Sequence, residues 1–160
     1  MRITFDKLEE GRSFPLSRDT ARRILSQLIP AEIQPRFTKV HFGCNRKTSQ
    51  EARLVGRGET YEIRVNFWLE HERSRIVSES SEWLDPVRNA GGLVDEQLRE
   101  VRWSSASAQR YAAFLLAHEV AHVAYAQVNF TSSISGRSAS RTEEAWCDRW
   151  AREATARLKL

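Results

Sequence analysis

Residues 115–126 read LLAHEVAHVAYA. Inside this apolar run His118 and His122 stand four apart, with Glu119 beside the first. Polar, titratable groups buried without partners are costly, so the run needs a reason to hold them. On a helix, residues four apart project from one face, about 40° from each other and one turn apart. Two imidazole nitrogens can then reach a single cation. Glu119, on the flank of that face, can reach a water beside the cation without binding it. The pattern H-E-x-x-H is two zinc ligands with a general base between them. The chain has four histidines in 160 residues, so the pattern would arise by chance in roughly one such chain in a hundred. The plainer alternative is two core histidines bonded to carbonyl groups. A core with no chemistry to do has little use for His, Glu and His among alanine, leucine and valine.

A catalytic zinc takes three protein ligands and leaves one position open. No histidine follows His122, and the other two, His41 and His71, fall at the ends of expected strands. Residues 141–151, RTEEAWCDRWA, offer Glu144 and Asp148, again four apart on one helical face. If this second helix returns antiparallel to the first, Glu144 in its opening turn faces His122. A helix N-terminus also favours a carboxylate. Glu143 has another use, because Ser140 to Glu143 fits the S-x-x-E capping box. Glu144 is therefore the preferred ligand, and Asp148 the preferred acceptor for the outer N–H of a ligand imidazole.

H-E-x-x-H, some twenty residues, then E-x-x-x-D resembles the gluzincin branch of zinc metallopeptidases, in the residues His118, Glu119, His122, Glu144 and Asp148. The resemblance implies a zincin-like fold, Zn²⁺ as cofactor, and endopeptidase action on a protein or peptide. It implies His118, His122 and Glu144 as metal ligands and Glu119 as the catalytic base. It also implies that the strand before the active helix, about 60–70, borders the cleft and pairs with an extended substrate. Gluzincins often add an oxyanion-stabilising Tyr or His. Tyr125 is a weak candidate, and a packed core tyrosine is its simpler reading. The rival function is a zinc-bearing regulatory or interaction module whose site is plugged, with residues 72–104 as the plug.

Helices and strands must position these groups. LSRDTARRILSQLIP, residues 16–30, reads as a first helix capped by Ser17 or Asp19 and stopped by Pro30. Residues 36–43 and 60–71 alternate with strand period, and 52–58 form a weaker strand. Within the insertion at 72–104, LVDEQLREVRW reads as a short helix carrying Leu93, Leu98 and Val101. A buried helix over about 105–128 and a last helix over about 141–158 follow. The stripe of the last helix is Trp146, Trp150, Ala154 and Leu158, and the Ser/Thr-rich segment 129–140 reads as a mobile loop. The expected architecture is α+β: one domain over 1–160, with a small, mostly antiparallel sheet packed on the helices.

Net charge is +4, with 21 of the 25 basic residues arginine and no long run of like charge. Nucleic-acid association is thus conceivable but not favoured over a solvated arginine-rich surface. Cys44 and Cys147 make no disulfide framework. The first residues lack an apolar signal core and no stretch suits a membrane span, so the expected compartment is the cytoplasm, with the nucleus or export as an effector as the alternatives, and no membrane partner is expected.

Overall fold

A computed structural model describes residues 1–45, 51–57, 59–129 and 139–158. The segment expected as a mobile loop lies outside the described residues over 130–138. The main sheet has four strands: β1 (Arg2–Phe5), β3 (Phe37–Phe42), β5 (Thr60–Val65) and β4 (Ala52–Arg57), in that spatial order. β1 runs parallel to β3 and β3 to β5, while β4 is antiparallel to β5. The sheet beneath the helices is therefore mixed. The reason is connectivity: helix α1 (Arg18–Leu28) lies between β1 and β3, and a crossover of this kind delivers parallel strands. Ser17 caps α1 by accepting from the Thr20 N–H at 3.1 Å, and Ala21, Ile24, Leu25 and Leu28 form its buried face.

The antiparallel pairing appears in a second sheet. It is built from β2 (Arg12–Ser13), β6 (Leu69–Glu70), β7 (Arg73–Arg75), β9 (Glu100–Arg102) and β8 (Leu93–Asp95), in that order. Residues 60–71, read as one strand, are divided between the two sheets. β5 stops at Val65, and Asn66 donates its N–H to the Glu51 carbonyl at 2.7 Å. His71 and Glu72 then turn the chain with φ of 49° and 63°.

The expected helix at 93–103 is instead the hairpin of β8 and β9. Asp95 Oδ1 accepts from the Leu98 N–H at 3.0 Å, a side-chain turn that competes with helix. Its supposed apolar face also fails: Val101 is buried, but Leu93 and Leu98 are exposed. The hairpin lies against α2 (Ser81–Ala90) at Gly92, where a Cβ would come within 2.9 Å of both Val87 and Val101.

Helix α3 (Ser105–Val128) is the axis of the fold. A capping box between Ser104 and Ser107 starts it, and nearly its whole circumference is buried. Its alanines let neighbours approach on several sides. Helix α4 (Arg141–Ala156) runs antiparallel to α3, since Glu143 meets His122 while Asp148 meets His118. The most buried line on α4 is Glu143, Cys147 and Ala151, not the tryptophan stripe. Trp150, Ala154 and Leu158 lie half-buried along its flank. The reason is size: small and polar residues fit the close α3–α4 seam, and the indole is pushed to its margin.

Candidate metal centre

His118 and His122 lie on one face of α3, their rings 4.9 Å apart by centroid. Their Nε2 atoms turn toward each other at 3.2 Å. Glu144, from the first turn of α4, completes the group: its Oε2 is 3.1 Å from His118 Nε2 and its Oε1 is 3.8 Å from His122 Nε2. One ligand atom from each of the three residues lies within 4.8 Å of the others. Both Nδ1 atoms face outward to carboxylates. His118 Nδ1 is 2.9 Å from Asp148 Oδ1, and His122 Nδ1 is 3.0 Å from Glu143 Oε1. Such pairing orients the two rings with their Nε2 atoms toward Glu144.

Glu119 is buried beside these rings. Burial raises its carboxyl above the usual range, opposed by the charges of His118 and His122, while Glu144 adds to the rise. The Leu54 backbone N–H hydrogen-bonds the carboxylate and ties it to β4. Burial alone would lower His118. The hydrogen bonds to Asp148 and Glu144, with the charges of Glu119 and Asp148, outweigh that and push it up to about 10. The hydrogen bond from His118 in turn holds Glu144 below the ordinary carboxylate value. Four carboxylates around two imidazoles make a place that calls for positive charge. Two imidazole nitrogens and a carboxylate oxygen suit a borderline divalent ion such as zinc, so the residues present fit one.

The S-x-x-E spacing from Ser140 predicts a capping-box role for Glu143. Ser140 does accept from the Glu143 N–H at 3.2 Å, but the Glu143 carboxylate is turned inward, 1% exposed, onto His122. Its signal was present in the sequence: Glu143, Cys147 and Ala151 recur every four residues and face the partner helix. Cys147 is buried beside it, with Sγ 3.4 Å from His122 Nδ1, and burial first and then the surrounding carboxylates push its thiol far up. Tyr125 is partly buried and packs edge-on to Trp146 at 5.4 Å.

The strand expected to border the cleft is also different. β5 is enclosed between β3 and β4, so β4 is one edge of the main sheet, and its Leu54 N–H bonds Glu119. β4 was the weaker strand in the sequence because Gly56 and two arginines dilute its pattern.

An α+β domain with a two-histidine, one-carboxylate cluster on facing helices is an architecture suited to hydrolysis. Residues 42–157 match the peptidase U49 family, and the chain belongs to that family. It is thus a peptidase in the broad sense. The matched stretch contains all the residues of the cluster. Comparison with curated proteins and with solved structures gives no match.

Proposed function

We propose that the chain is a zinc-dependent endopeptidase of gluzincin type, working as one zincin-like domain. His118, His122 and Glu144 hold the ion, and Glu119 is the general base. The observation that carries this reading is the convergence of both Nε2 atoms with the Glu144 carboxylate, while both Nδ1 atoms are occupied by Asp148 and Glu143. When bound, zinc supplies a Lewis acid that polarises a peptide carbonyl and brings the pKa of a water toward about 7. Glu119, made more basic by burial and aligned by the Leu54 N–H, takes the proton from the attacking water and delivers it to the leaving amine. Asp148 and Glu143 fix the orientation of the two rings. The outer edge of β4 offers backbone groups to an extended substrate. The Glu144 side chain is 48% exposed. This open face favours an enzyme over the rival reading of a plugged regulatory module.

Elemental analysis of the purified protein should give one zinc per chain, and His122→Ala or Glu144→Ala should lose it. Glu119→Gln should keep the zinc and reduce peptide hydrolysis by about 10³-fold. A zinc-loaded Glu119→Gln protein that cleaves as well as the parent refutes the assignment of the base.

A further inference from the structure

A cavity of about 530 Å³ opens between the two sheets, and Glu51, Trp68, Glu70, Arg73, Arg75 and Glu100 are among its lining residues. Two of its three carboxylates have arginine partners. Glu100 is 3.1 Å from Arg73, and Glu70 is 3.6 Å from Arg12. Glu51 has no counter-ion among the described residues. Its Oε2 accepts from the Trp83 indole N–H at 2.7 Å and the Tyr111 hydroxyl at 2.6 Å, both neutral donors. Its Oε1 has no hydrogen-bond partner among the described residues, and Glu51 lines the cavity. Burial pushes this carboxyl up to about 7, although both donors pull it down. A cation beside Oε1 would relieve that cost.

The cavity lies in line with the proposed reaction site. Glu51 immediately precedes β4, and Leu54 of that strand bonds Glu119. From Leu54 to Glu51 is three strand residues, about 10 Å. On α3, Tyr111 bonds Glu51, and Glu119 lies eight residues further on, about 12 Å. The two measures agree. A peptide extended along the edge of β4 therefore brings a side chain about three residues from its scissile bond to the cavity.

We propose that this cavity is a specificity subsite for a lysine or arginine side chain of the substrate, with Glu51 as its recognition carboxylate. The proposal rests on the peptidase reading for its geometry, but the charge pairing at Glu51 is independent of the metal. Trp83 and Tyr111 hold the carboxyl in position, so the entering cation meets a fixed acceptor. Arg75, also a lining residue, is exposed, and solvent screens its charge.

The test uses the Glu119→Gln chain, which binds without turnover. The probes are capped Ala/Gly decapeptides with lysine, arginine or norleucine placed at each position in turn. Binding is read by tryptophan fluorescence and by calorimetry. Lysine or arginine at one position should bind about tenfold or more tightly than norleucine. Adding Glu51→Gln, which keeps acceptors for Trp83 and Tyr111, should collapse that ratio to about one. Equal affinity for lysine and norleucine, or a basic preference that survives Glu51→Gln, overturns the proposal. The active chain is assayed alongside on the same peptides. Cleavage without basic preference sinks the subsite alone. A Glu51-dependent preference with no cleavage sinks the peptidase chemistry and leaves the subsite standing.

Discussion

Around His118 and His122 the carboxylates packed on α3 meet imidazoles; two turns earlier, at Tyr111, a carboxylate meets a phenol and an indole. Both places bury acids, and the electrostatic outcomes are opposite. At the first, acid and imidazole share protons, so Glu144 falls and His118 rises to about 10. At the second, neutral donors hold the carboxyl but bring no charge, so burial prevails and Glu51 rises to about 7. At Glu51 two hydrogen bonds from neutral donors do not offset burial of the charge; a neighbouring cation would. On the proposed reading the imidazole cluster receives a cation from solution, and Glu51 one carried by the substrate.

The contrast is testable first through pH. The folded value of Glu51, about 7, lies above its ordinary 4.5, so the folded chain holds this proton more tightly than the unfolded chain. Stability from this group is full below about 4.5 and is lost as pH rises to about 7, by on the order of 3 kcal/mol. Urea unfolding at several pH values should show this loss in the parent and not in Glu51→Gln. Parallel pH profiles for the two chains would mean that Glu51 is not held uncompensated. A somewhat smaller effect is expected at the imidazole cluster. Glu143→Gln should weaken zinc affinity about 10- to 100-fold, measured by chelator competition, by loosening the hold on His122 Nδ1. Unchanged affinity would make Glu143 a packing residue only. The smallest effect belongs to the cap that presents α4. Ser140→Ala should cost about 1 kcal/mol of stability, because the Glu143 N–H loses its acceptor. A zinc affinity unmoved by that change would show that packing on α3 alone sets the pose of Glu143 and Glu144.

Local periodicity made much of the molecule readable. Helix α1 starts after Ser17 because a serine there can hold the Thr20 N–H. The long apolar run from 105 to 128 forms α3 because only burial on nearly all sides suits it. Where the reading went astray, side-chain competition or connectivity decided. Asp95 turned a supposed helix into a hairpin. The break at Asn66 split one long strand between two sheets. Helix α1, lying between β1 and β3, made the main sheet mixed.

By itself the sequence determined that His118 and His122 share one helix face with Glu119 on its flank, and that Glu144 and Asp148 share another. Those are consequences of a four-residue spacing and the helical pitch. Only the tertiary structure decided that Glu143 turns inward, that β4 is the sheet edge beside Glu119, and that Glu51 meets Tyr111 sixty residues away with no counter-ion among the described residues. These follow from how helices and sheets pack against one another. Contacts between residues far apart in the chain leave no period to read, because the pitch of one element carries no information about which neighbour will cover it.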